Sequence, residues 1–153
     1  MSNQAQLFSM QFTSDPSLCC VIRSAIERLA EVVGFAAEDT HAIILAVDEA
    51  LTNIIRHAYG GKHGKSIHVS CNRVEHRVDG KTLKGLEIKL LDAGKAMNLC
   101  DIPERPLSEV RPGGLGLHFI RQCMHRVEYR RTRGKNHLRL VKYFPEAKAV
   151  ATK

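Results

Sequence analysis

The stretch "DEALTNIIRHAYGG", residues 48–61, decides the fold. Extended back to residue 38, it puts Ile43, Val47, Ala50, Leu51, Ile54 and Ala58 on one face at a spacing of about 3.6 residues. That is an amphipathic helix over roughly 38–58, ended by Gly60 and Gly61. Opposite the stripe stand Glu49 and Asn53, one turn apart, with Arg56 and His57 nearby. Asn is a mediocre helix former, because its amide competes for the backbone. Two readings stay open from this helix alone. The pair is the solvated side of a helix packed on a sheet, or it is a carboxylate and an amide that must work side by side.

Upstream, "LFSMQF" (7–12) alternates as a strand does. "SDPSL" then starts a helix, with Ser14 or Asp15 as N-cap and Pro16 in the first turn, running to Val33 with Gly34 as a left-handed cap. Downstream, "KSIHVSCNRV" places Ile67, Val69 and Cys71 on one strand face, and "GLEIKLLD" does the same for Leu86, Ile88 and Leu90. Asp79-Gly80 between them is a hairpin signal. From Asp92 to Pro112 the chain reads as a long loop with Gly94, Pro103, Pro106 and Pro112, long enough to suggest a functional lid. "GGLGLHFIRQCMHRV" then predicts a helix, with Leu117, Ile120, Met124 and Val127 at helical spacing. "VEYRRT" and "HLRLVKYF", around "RGKN", predict a closing hairpin, although the alternation in "LRLVKYF" is imperfect. Strands joined by hairpins, with helices between them, predict an α+β two-layer sandwich: a mostly antiparallel mixed sheet with helices on one face.

The bulk numbers agree with one compact domain over 1–153. Apolar residues make up 44% of the chain and charged residues 25%. No apolar run approaches the roughly 20 residues of a membrane span, and the N-terminus carries no export signal, so a cytoplasmic protein is expected. Five cysteines (19, 20, 71, 100 and 123) form no framework and read as reduced thiols. The eight histidines show no zinc-type spacing. The net charge is +7, and Arg121 to Lys142 holds eight Lys or Arg against one acid, Glu128. That basic stretch suits nucleic acid, an acidic partner or a solvated sheet face. Tyr129 is its single aromatic, so base stacking is poorly supported.

Two further motifs bear on chemistry. In "GGLGL" (113–117), glycines precede a helix, where backbone N–H groups can approach an anion; a hinge or tight turn is the plain alternative. The spacing is neither a P-loop nor a dinucleotide fingerprint. In "LLDAG" (90–94), Asp92 ends an apolar strand, where its carboxylate could accept a hydrogen bond from an amino group such as that of adenine. A simple strand-end turn would look the same.

The order helix with Glu and Asn at i and i+4, strand–Asp-x-Gly, lid, then Gly-rich helix start resembles the GHKL (histidine-kinase-like) ATPase family, with its Bergerat-type ATP-binding fold. "AVDEALTNIIRHAYG" and "GGLGLHFIRQCMHRVEYRR" are similar to its small anti-sigma-factor serine/threonine kinase branch. The resemblance implies roles. Asn53 matches the ligand of a Mg²⁺ that bridges the phosphates of ATP, and Glu49 matches the general base. Asp92 matches the reader of the adenine amino group, and Gly94 the turn beneath the base. Gly113, Gly114 and Gly116, with Leu115 among them, match the lid hinge and phosphate cradle, and Arg111 is a candidate γ-phosphate contact. The family pattern Asp-x-Gly-x-Gly is broken here by Ala96, which is harmless unless that residue needs positive φ. The resemblance further implies a kinase that phosphorylates a small antagonist protein on Ser or Thr and regulates transcription by partner switching. A sigma factor would be its second partner, and a homodimer is expected. The alternative is a non-catalytic ATP-binding interaction module. Membrane is not an expected partner, and nucleic acid is disfavoured.

Overall fold

The structure is a computed structural model describing residues 4–97 and 116–146. Strand β1 (Ala5–Thr13) leads into a single 3₁₀ turn (Pro16–Leu18), helix α1 (Cys19–Val33) and helix α2 (Ala37–Asn53). One turn of π-helix (Ile54–Ala58) follows, then β2 (Ser66–Val78), β3 (Lys81–Asp92), α3 (Gly116–Cys123), β4 (Arg126–Thr132) and β5 (Lys135–Tyr143). The five strands form one sheet in the order β1-β2-β3-β5-β4. All four pairings are antiparallel. The two-layer α+β architecture read from the sequence is therefore present.

Local chemistry explains the punctuation. Asp15 Oδ1 accepts from Ser17 N (2.9 Å) and Ser17 Oγ (2.8 Å), so the predicted cap holds a 3₁₀ turn ahead of α1. Gly34 closes α1 at φ 108°, a conformation that favours glycine. Asp79 and Gly80 both lie at positive φ (49° and 77°), as the two-residue turn between β2 and β3 requires.

The core lies between one sheet face and the helices. Ile22, Ile26, Ile43, Val47, Leu51, Ile54, Ile67, Val69, Leu86, Ile88, Leu90, Ile120 and Leu140 are buried there. Phe8, Met10 and Phe12 of β1 pack against the same cluster.

Two local expectations change, and one irregularity gains a cause. The long helix is not α-helical to residue 58. It widens into the π turn after Asn53, where Tyr59 N bonds to Ile54 O at 2.9 Å. Val127 belongs to β4, because α3 ends at Cys123. The uneven alternation of β5 has a cause on each face. Leu138 and Leu140 join the core, while Val141 and Tyr143 form a second cluster with Val74 and Leu83 on the opposite face. Lys142 faces the helices, donating to the α3 carbonyl of Cys123 (2.8 Å), where a cation suits the helix C-terminus.

The outer sheet face also buries an acid. Glu87 is fully buried and bound by Arg139 Nε, Asn72 Nδ2 (3.0 Å) and Lys89 Nζ (3.2 Å). Burial alone would push this carboxyl up, but the hydrogen bonds from Arg139 and Lys89 outweigh it and hold it below its ordinary 4.5. A depressed native value means that this stabilisation is complete above pH 4.5 and is lost as pH falls through the native value. Urea unfolding from pH 7 down to pH 3 is therefore expected to show a loss of stability that Glu87→Gln, which has nothing to titrate, lacks.

Candidate active site

The end of the sheet nearest the π turn carries one row of residues across four strands on the helix-facing side. Ile67 of β2 pairs with Asp92 of β3, Asp92 with Asn136 of β5, and Asn136 with Arg131 of β4. Of these only Asp92 was a site candidate in the sequence; the juxtaposition follows from the antiparallel registers. Asp92 is 4% exposed, and its Oδ1 accepts from Gly94 N (2.9 Å) and Asn136 Nδ2 (2.8 Å). Its Oδ2 makes no hydrogen bond among the described residues. Asn136, itself buried, is fully engaged: Nδ2 also donates to Lys95 O (2.8 Å), while Oδ1 accepts from Tyr129 Oη (2.6 Å) and Arg131 Nη1 (2.7 Å).

The segment after Asp92 is fixed at nearly every backbone group. Ala93 N donates to Tyr59 Oη (2.8 Å), Lys95 N to Ala58 O (2.8 Å) and Met97 N to Tyr129 Oη (2.9 Å). Arg131 Nη1 donates to Gly94 O (3.0 Å). Burial pushes the Tyr59 phenol up; the Ala93 hydrogen bond opposes this and the Asp92 carboxylate adds to it, so the hydroxyl stays protonated and donates to Ser66 O. The π turn contributes the Ala58 carbonyl that holds Lys95. Such turns are frequent at functional sites.

Gly94 does something other than turn freely. Its φ is not positive, but a Cβ there would lie 2.4 Å from Ala58 O and 2.5 Å from Ala58 C. Glycine is needed for close approach to the helix end. Gly94→Ala is expected to cost about 1–3 kcal/mol of stability, the usual range for overpacking, read as a lower urea midpoint. Ala96, where the family pattern has a second glycine, is not at positive φ either, so the alanine carries no backbone strain.

Glu49 and Asn53 both lie in α2, four residues apart, as expected. Glu49 is half-buried. Asn53 does not lie on a solvated face: it is 6% exposed. The reason is that α2 packs against both α1 and α3, so more of its circumference is covered than one apolar stripe. The Asn53 amide makes no hydrogen bond to any described residue. The amide oxygen of an asparagine suits a hard cation such as Mg²⁺. Among the described residues no cluster of three or more His, Cys, Asp or Glu could hold a metal. Gly116 is the first residue of α3. Arg111, Gly113, Gly114, Leu115 and the part of the lid after Met97 fall outside the described residues.

Asn136, Tyr129, Arg131 and Tyr59 were not singled out from the sequence as site residues. An asparagine entering an apolar strand in "NHLRLV" is the one signal that could have pointed to Asn136.

Four cysteines, at 19, 20, 71 and 123, are free thiols among the described residues, and burial pushes the Cys71 thiol up to about 12, inert at neutral pH. No helix among those residues is long and apolar enough to cross a membrane.

The sequence profile of the histidine kinase-like ATPase domain matches residues 12–142. The chain is 28% identical over 142 residues to the serine-protein kinase RsbW of Halalkalibacterium halodurans, covering 86% of this chain and 80% of that protein. It is 30% identical over 122 residues to the serine/threonine-protein kinase BtrW of Bordetella bronchiseptica, covering 77% and 80%. It is 29% identical over 136 residues to RsbW of Oceanobacillus iheyensis, covering 84% and 80%. A buried strand-end carboxylate, a glycine pressed on a helix end and a buried helix asparagine thus sit inside a profile match that spans most of the sequence, and the chain belongs to the histidine kinase-like ATPase family.

Proposed function

We propose that the chain is an ATP-dependent serine/threonine protein kinase of the anti-sigma type, which phosphorylates a small antagonist protein and exchanges it for a sigma factor. The observation that carries the nucleotide half is Asp92. One carboxylate oxygen is held by Gly94 and Asn136, while the other makes no hydrogen bond among the described residues. The residue is 4% exposed, so a ligand group that can donate to the carboxylate is favoured over one that cannot. The exocyclic amino group of adenine is such a donor, and guanine presents a carbonyl at that position.

The catalytic half rests on Glu49. Its carboxylate, one turn from Asn53, takes the proton from the Ser or Thr hydroxyl as that oxygen bonds to the γ-phosphorus. The bond from the γ-phosphorus to the β–γ bridging oxygen breaks, and ADP leaves with the bridging oxygen. Asn53 would hold Mg²⁺, which neutralises phosphate charge when bound. Gly113, Gly114, Leu115 and Gly116 would cradle the phosphates, with Arg111 at the γ-phosphate. Phosphoryl transfer needs mainly positioning and charge stabilisation, so this short set suffices. The RsbW and BtrW relatives, named as serine and serine/threonine protein kinases, support the reading.

The test is calorimetric titration of ATP and GTP into the wild type and Asp92→Asn. ATP is expected to bind more tightly than GTP by on the order of 10-fold or more, and Asp92→Asn to lose most of that preference. Equal affinity of the wild type for both nucleotides overturns the assignment of Asp92. We further propose a cytoplasmic homodimer, to be checked by sedimentation.

A further inference from the structure

We propose that the outer sheet face, away from the helices, carries a second anion site, for a small ligand of the di- or triphosphate class. A groove of about 370 Å³ opens there, lined by His68, Ser70, Lys89, Arg130, His137 and Arg139, with Glu128 at its rim. That volume falls within the range of small-molecule sites, roughly 300–1,000 Å³.

The strand registers array these side chains in two rows. His68 pairs with Leu91, Leu91 with His137, and His137 with Arg130. In the next row Ser70 pairs with Lys89, Lys89 with Arg139, and Arg139 with Glu128. Four adjacent strands span about 14 Å, so the donors suit an extended oxyanion with several charges better than a single carboxylate. Lys89, Arg130 and Arg139 outnumber Glu87 and Glu128 there.

The buried Glu87 gives the site its rigidity. It binds Arg139 through Nε and Lys89 at 3.2 Å, so both cations are held in place before a ligand arrives. A buried ion pair is weak support for stability in itself. Here it fixes two donors at the floor of a groove, which lowers the ordering cost of binding. Arg139 Nη1 is taken by Glu128 (3.0 Å), but its Nη2 makes no hydrogen bond among the described residues. Nor do Arg130, His68 and His137 through their side chains. The basic C-terminal stretch is thereby divided. Lys142 and Arg131 serve the helix layer and the Asp92 row, while Arg130 and Arg139 face the groove.

The site lies on the sheet face opposite the candidate nucleotide site and is independent of it. The experiment is a titration of Mg²⁺-free pyrophosphate at low ionic strength, followed by calorimetry and by the ring-proton NMR signals of His68 and His137. Two proteins are compared: wild type and Lys89→Gln/Arg130→Gln. Expected are shifts of both histidine signals in the wild type, and binding weaker by about 10-fold or more in the double variant. The proposal is overturned by no binding, by undiminished binding in the double variant, or by binding that leaves both histidine signals unmoved, which would place the anion at the nucleotide site. Tighter binding of an oligoglutamate peptide than of pyrophosphate also overturns it, since the face would then be a protein-docking surface.

Discussion

Glu49→Gln will keep ATP affinity close to wild type and lower the rate of phosphoryl transfer to the antagonist by about 100- to 10,000-fold, the contribution of a positioned general base. The substitution preserves the shape of the side chain and removes its ability to take a proton. Glu49 is half-buried on α2, one turn before Asn53 and away from the main apolar stripe, so the fold does not depend on its charge. Single-turnover measurements separate the chemical step from nucleotide binding. An unchanged transfer rate would remove Glu49 from the mechanism. A variant that transfers nothing yet still switches partners with ATP as the wild type does would mark the protein as an ATP-binding interaction module.

The second large effect is expected at Asn53. Alanine there should weaken ATP binding in the presence of Mg²⁺ by on the order of 100-fold and abolish the difference between titrations with and without the ion. The fold should survive. The amide makes no hydrogen bond to a described residue, and alanine favours the helix that Asn53 ends. Urea midpoints of the two proteins within about 1 kcal/mol would agree with that. Unfolding of the variant would make Asn53 structural, a buried amide kept for packing. Absence of ATP binding to the wild type would leave a family member without its nucleotide, and the interaction-module reading would take over.

The two effects are distinguishable because they act on different quantities. Glu49 is assigned to the transition state alone, so its loss appears in the rate. Asn53 is assigned to the bound state, so its loss appears in affinity. Asp92 is assigned to the identity of the base, so its loss appears in the preference for adenine over guanine. A single damaged fold would move all three together.

The sequence by itself determined the elements and most of their boundaries. Periodicity near 3.6 marked α2 and alternation marked β1, β2 and β3, because burial of one face imposes those spacings on the chain, while cap residues marked α1 and the turn around Arg133-Gly134 marked β4 and β5. Turn chemistry fixed Gly34 and the Asp79-Gly80 hairpin, because only a few residue types accept those angles. Asn53, Asp92 and Gly94 were visible because each breaks a local rule, a poor helix former in a helix or an acid and a glycine where an apolar strand ends, and Glu49 was visible by its place one turn from Asn53. Tertiary structure decided the rest. The row of Asp92, Asn136 and Arg131 joins residues 44 and 39 positions from Asp92, and no local pattern records a pairing across strands. The burial of Asn53 depends on α1 and α3 both lying against α2, which a helical wheel does not represent. The role of Gly94 is set by the distance to Ala58, a contact between the end of a strand and the end of a helix. Local propensity is a property of neighbours in the chain. Close approach, register and burial are properties of neighbours in space, and they alone bring an acid, an amide and a glycine into one candidate site.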